Sequence, residues 1–130
     1  MTTYLSIAAG GAIGSVARFW LSEIVGRRFG GTFPWGTILV NVSGSFLIGV
    51  LAALCGPGGR FSTAAGLRQF LVVGVCGGYT TFSAFSIQTF DLARGGHWMS
   101  AGGNVMLSVL LCLLATGLGY VLGSAFNGSR

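Results

Sequence analysis

The chain has 130 residues, of which 52% are apolar and only 7% charged, against roughly 25% charged in an ordinary soluble domain. That balance excludes a water-soluble fold and marks an integral membrane protein. The net charge of +5 comes from seven basic residues, all arginine, against Glu23 and Asp91. The arginines stand singly at segment edges apart from the pair Arg27-Arg28, which excludes the clustered basic face of a nucleic-acid binder.

About 20 apolar residues cross the hydrocarbon core. The charge-free runs before Arg18, between Arg28 and Arg60, between Arg68 and Asp91, and after Arg94 therefore predict an all-α fold of four transmembrane helices in one domain over residues 1–130. The first is predicted over 4–25. It lacks a basic start and runs into Arg18 and Glu23, so it reads as a resident helix rather than a cleaved signal. Its Gly10-Gly11-x-x-Gly14 invites close approach by another helix. A loop rich in glycine and arginine follows.

The second helix is predicted over 34–55, with Pro34 in its first turn and Gly56-Pro57-Gly58-Gly59 ending it. The third, over 65–93, is the most informative. It contains Gly74-Val75-Cys76-Gly77-Gly78-Tyr79-Thr80-Thr81-Phe82-Ser83-Ala84-Phe85-Ser86, and three glycines beside Thr-Thr predict a break near 77–80. Backbone broken at membrane depth is tolerated where protein buries it or where it lines a watery cavity. After a short turn, with Trp98 suited to the interface, the fourth helix is predicted over 99–126 and carries Gly119 and Gly123.

Three polar stripes run through these helices. Thr37, Asn41 and Gly44 share one face of the second. Phe82, Phe85, Ser86 and Thr89 share a face of the third, flanked by Thr81 and Ser83. Asn104, Ser108, Cys112 and Thr116 recur every four residues on the fourth. Amides and hydroxyls donate hydrogen bonds, and an aromatic ring edge is weakly positive. No carboxylate lies in the central stretches of these three helices, and Arg18 is the fixed charge nearest the interior. This inventory suits a small, strongly hydrogen-bonding anion. It lacks a nucleophile–base pair, and the only histidine, His97, falls in a loop, so no enzyme activity is expected. Cys55, Cys76 and Cys112 form no CxxC pair and read as small apolar packers.

Arginine placement bears on orientation. With four helices, Arg60, Arg68 and Arg130 share one side of the membrane and Arg27, Arg28 and Arg94 the other. Excess basic residues normally fix the cytoplasmic side. This tie predicts insertion both ways and permits an antiparallel homodimer.

The motifs Gly10-Gly11-x-x-Gly14-x-x-x-Arg18, Gly36-Thr37-x-x-x-Asn41-x-x-Gly44 and Gly77-Gly78-x-Thr80-Thr81-Phe82-Ser83-x-Phe85-Ser86 resemble those of the Fluc (CrcB) family of bacterial fluoride channels, across nearly the whole chain. The resemblance implies an antiparallel, dual-topology homodimer with two pores in a cell inner membrane. It implies passive export of fluoride, with Phe82, Phe85 and Asn41 contacting the anion and Ser108 on a polar track. It also implies a structural sodium ion (Na+) held by the backbone carbonyls of Gly77 and Thr80. With the polar stripes, the expected anion pathway comprises Phe82, Phe85, Asn41, Thr37, Thr81, Ser83, Ser86, Ser108, Asn104 and Arg18. The family often has glutamate where Gln88 stands, and can have tyrosine at Asn104 and serine at Cys112. Two other readings compete: a small dual-topology multidrug exporter, which needs a deep glutamate where this chain has Glu23, and a non-transporting assembly subunit whose glycines only pack helices.

Overall fold

A computed structural model describes residues 1–62 and 64–127; Arg130, one member of the arginine tally, lies outside them. Among the described residues all regular structure is helical, and four spans are long and apolar enough to cross a membrane. The first span is α1, Thr2–Phe29, and the second is α2, Trp35–Cys55. The third runs from Ala65 to Arg94 and is composite. It comprises α3 (Ala65–Arg68), a π-helical stretch (Gln69–Cys76), α4 (Gly77–Tyr79) and, after a break, α5 (Phe82–Arg94). The fourth span is α6, Trp98–Asn127.

Helix α1 continues a turn past the predicted end at Val25. The extra turn carries an ion pair from Arg27 to Glu23 at 2.7 Å, one turn apart. Arg27 and Arg28 also sit in its last turn, where cations complement the helix dipole. Gly30, at φ 79, then turns the chain in the left-handed region that glycine enters without strain. Pro34 caps α2 instead of occupying its first turn. Its carbonyl accepts the Ile38 N–H at 3.1 Å, and α2 begins at Trp35.

Two glycine seams assemble the bundle. Along the first, α1 lies on the start of the third span. A Cβ on Gly10 would come within 2.5 Å of the Phe70 carbonyl, one on Gly14 would strike the Val75 carbonyl, and one on Gly78 the Gly11 carbonyl. Along the second, α2 lies on α6. Gly49 faces the Thr116 carbonyl, Gly119 the Phe46 carbonyl and Gly123 the Val50 carbonyl in the same way. Membrane helices lack a hydrophobic drive toward one another, so close backbone packing of this kind carries their association. Asn127 adds a tie at the far end. Its Nδ2 donates to the Ala53 carbonyl at 2.9 Å, and its Oδ1 accepts the Arg60 N–H at 3.1 Å.

The break falls later than the glycines. Gly77 and Gly78 remain helical, and the chain extends at Thr80 (ψ 155) and Thr81 (φ −151, ψ 113). Threonine's branched Cβ disfavours the helix and its hydroxyl caps one. Here the Thr81 Oγ1 accepts the Ala84 N–H at 3.1 Å and starts α5. Gly78 is small because Gly11 of α1 needs its space, not because the chain bends there. The π winding before the break had no counterpart in the sequence reading.

Candidate functional site

The break is held open by α2. The Asn41 carboxamide pairs with the Thr81 peptide in both directions: Nδ2 donates to the Thr81 carbonyl at 3.0 Å, and Oδ1 accepts the Thr81 N–H at 2.8 Å. Two residues on, the Ser43 and Tyr79 hydroxyls share a 2.9 Å hydrogen bond, while Gly44 leaves room for the Thr80 methyl group.

This pairing diverts the helical ladder. The Thr81 N–H would ordinarily serve the Gly77 carbonyl, four residues back, but it serves Asn41. The Ala84 N–H would serve the Thr80 carbonyl, but it serves the Thr81 hydroxyl. The carbonyls of Gly77 and Thr80 thereby lose their usual donors. Thr80's own N–H and hydroxyl both donate to the Cys76 carbonyl at 2.9 Å.

Beside the break lies a cavity of about 340 Å³. Its wall is built by Asn41, Ser45 and Ile48 of α2, Thr80 and Thr81 at the break, Phe82 and Phe85 of α5, and Ser108, Val109, Cys112 and Leu113 of α6. No carboxylate of the described residues lines it. The two rings sit 5.1 Å apart between centroids and are tilted by 50°. Phe85 is buried, whereas Phe82 is 77% exposed.

Of the residues singled out in the sequence, the cavity wall brings together Asn41, Thr81, Phe82, Phe85 and Ser108. The others lie elsewhere. Thr37 is buried on α2, one turn before Asn41 and off the wall. The Ser83 hydroxyl bonds with the Thr81 hydroxyl at 3.2 Å, and the Ser86 hydroxyl donates to the Phe82 carbonyl at 2.9 Å; both are exposed. Asn104 is buried behind the wall. Arg18 is also off it, and its Nε is buried without a hydrogen-bond partner among the described residues.

Asn41 has two N–H groups and two lone-pair sites, and the Thr81 peptide takes one of each. One N–H remains. Ser45 also reaches the wall, and sequence reasoning missed it. Its position four residues after Asn41 was the available signal. A second cavity of about 310 Å³ lies at the loop end of the bundle, lined by Gly31, Thr32, Pro34, Gln88, Asp91, Leu92 and His97. The Gln88 Oε1 is buried and unpartnered among the described residues.

Comparison with known proteins agrees in extent with the motifs. The family described as CrcB-like protein, Camphor Resistance (CrcB), matches residues 5–120. A protein of Opitutus terrae named fluoride-specific ion channel FluC is 54% identical over 130 residues, covering 100% of this chain and 98% of its own length. Proteins of the same name from Methylocella silvestris and Rhodospirillum rubrum are 53% and 54% identical over 124 and 119 residues. They cover 95% and 92% of this chain and the same shares of their own. This chain belongs to the CrcB family.

Proposed function

We propose that this CrcB family member is a fluoride-selective channel of the cell inner membrane that lets fluoride leave passively, and that it has no enzyme activity. The observation that carries the reading is the cavity at the break in the third span, where the spare Asn41 N–H, the Ser45 and Ser108 hydroxyls and two phenylalanine rings converge with no acidic group. Stripping water from a small anion is costly, since a buried charge needs partners. This wall offers donors and ring edges in place of water. The same wall repels no anion and offers a cation no carboxylate. A membrane potential of about 100 mV, negative inside, would drive each anion outward with roughly 2.3 kcal/mol, so no coupling carboxylate is required. The names of the relatives point the same way.

The working unit we propose is an antiparallel homodimer. The arginine tie supports insertion in both orientations, and the bare Phe82 supports completion of the aromatic wall by a second copy. The Gly77 and Thr80 carbonyls, deprived of their ladder donors, fit a hard cation such as sodium, which prefers oxygen ligands. Bound there, sodium would supply positive charge to carbonyls whose usual ladder donors are engaged elsewhere. The exporter alternative loses ground because Glu23 pairs with Arg27 at an exposed helix end. In liposomes loaded with potassium fluoride, the purified protein is expected to release fluoride to an external electrode when valinomycin clamps the voltage, with chloride release at background. Equal release of both halides, or none of fluoride, would overturn the reading.

A further inference from the structure

Ser108 behaves differently from five other hydroxyls of these spans. Those of Ser43, Thr80, Ser86, Thr89 and Thr116 donate to the carbonyl four residues back, at distances between 2.7 and 3.0 Å. This is the usual local bond of serine and threonine in a helix, and it takes the proton away from anything beside the helix. The Ser108 hydroxyl instead donates to the side-chain Oδ1 of Asn104 at 3.3 Å, long for a bond whose usual length is about 2.7–2.8 Å.

Asn104 is itself firmly held. Its Nδ2 donates to the Thr89 Oγ1 at 2.8 Å, and that hydroxyl donates to the Phe85 carbonyl at 2.7 Å. Asn104 is 1% exposed and does not reach the cavity, whereas Ser108 and Phe85 both do. It therefore acts on the cavity only through neighbours.

We propose that Asn104 is a positioning residue for the anion path. It draws the Ser108 hydroxyl off the backbone carbonyl of position 104 and holds it by a bond weak enough for an anion to displace. The proton stays on Ser108 throughout; only its acceptor changes, from the Asn104 amide oxygen to the anion. Without the amide, Ser108 falls back on the local carbonyl and adopts the tighter bond its five counterparts make. This inference rests on the channel reading above and adds a role for a buried residue behind the wall.

The test is a double-mutant cycle read as fluoride flux against fluoride concentration in liposomes. Asn104→Leu is expected to raise the half-saturating fluoride concentration about three- to tenfold, the worth of one modest hydrogen bond, with little change in maximal flux. Ser108→Ala should do the same, and adding Asn104→Leu to it should shift nothing further, because coupled residues are not additive. A loss of packing alone would lower the maximal flux and leave half-saturation in place. Should Asn104→Leu not fold, Asn104→Ala removes the same oxygen and takes its place in the cycle. An equal shift from the Asn104 change in both backgrounds, or no shift in the Ser108 background that retains the hydroxyl, would overturn this inference alone. An unaltered protein that conducts no fluoride would overturn the channel reading and this inference with it.

Discussion

The seam between α1 and the third span and the seam between α2 and α6 use the same device, glycine set against a neighbour's backbone carbonyl, yet they leave their helices in different states. Both α2 and α6 stay regular along their seam. The third span is π-wound over Gln69–Cys76 and breaks after Tyr79. Close packing therefore does not break a helix. What distinguishes the third span is a pair of adjacent threonines that favour extended backbone and an outside amide, Asn41, that takes over the hydrogen bonds of the peptide set free. Packing holds the broken span against α1, and α2 decides where it opens.

The sharpest way to break this comparison is to crowd each seam in turn. Gly14→Val and Gly49→Val each aim a side chain at a backbone carbonyl, and overpacking of this sort costs about 1–3 kcal/mol or more. Both variants are expected to lose thermal stability in detergent. They should differ in flux per folded molecule. Gly14→Val pushes on Val75 and Tyr79, next to the break, and should abolish flux. Gly49→Val pushes on Thr116, beyond the cavity wall, and should leave most flux intact. Equal loss in the two would mean that the seams are functionally alike.

Asn41 separates holding the break from meeting the anion. Asn41→Leu takes the Asn41 partner from the N–H and C=O of Thr81, and as an orphaned buried group costs about 1–3 kcal/mol and these two are only part-buried, stability should fall by about 1–3 kcal/mol and flux should vanish. Asn41→Asp keeps an acceptor for the Thr81 N–H and should be less destabilised. Its flux should be as low, because at an effective dielectric of about 20 like charges 4 Å apart repel by about 4 kcal/mol. Wild-type flux in Asn41→Asp would put the anion path elsewhere.

These residues also mark how far the sequence could be read. Four spans and their order follow from charge-free runs, because the bilayer constrains length and polarity so strongly, and glycine spacing marked Gly10, Gly14, Gly119 and Gly123 but not which helices they face. The family motifs named Phe82, Phe85 and Asn41 directly. The break was expected near 77–80 and opens at the end of that window, at Thr80 and Thr81, where the threonines do the bending while Gly78 answers to Gly11 across the seam. The π winding depends on which carbonyl each N–H chooses, which side-chain pattern does not encode. Thr37, Ser86 and Asn104, also expected on the anion pathway, lie off the cavity wall, since helical spacing reports a face but not its neighbour. Only the packing of α5 and α6 reveals that Asn104 stands behind the wall.

The cap at Thr81 should give a smaller effect. Thr81→Ala removes the acceptor for the Ala84 N–H, a loss of about 1 kcal/mol by comparison with other helix caps. Thr81→Ser retains the hydroxyl and should restore stability. If the cap diverts the Ala84 N–H from Thr80 and the proposed sodium ion binds that carbonyl, sodium should raise the melting temperature of the unaltered protein and should raise that of the alanine variant less. Unchanged sodium sensitivity in Thr81→Ala would count against that carbonyl as a ligand.

The smallest effect compares two glycines two residues apart on α6. A Cβ on Gly119 would strike the Phe46 carbonyl, whereas one on Gly117 would meet nothing within 4 Å of it in the chain. Gly119→Ala should therefore destabilise the seam. Gly117→Ala should stabilise α6 by about 0.5–1 kcal/mol, the helix-propensity gain of alanine over glycine, if that exposed face meets lipid. The measurement is dimer dissociation on dilution into lipid, followed by fluorescence transfer between labelled copies. Tighter or unchanged association in Gly117→Ala would leave this face to lipid and move the contact of the proposed dimer toward the bare Phe82. Weaker association would mean that a second copy approaches Gly117 as closely as α2 approaches Gly119, which would make the α6 glycines a seam on both sides.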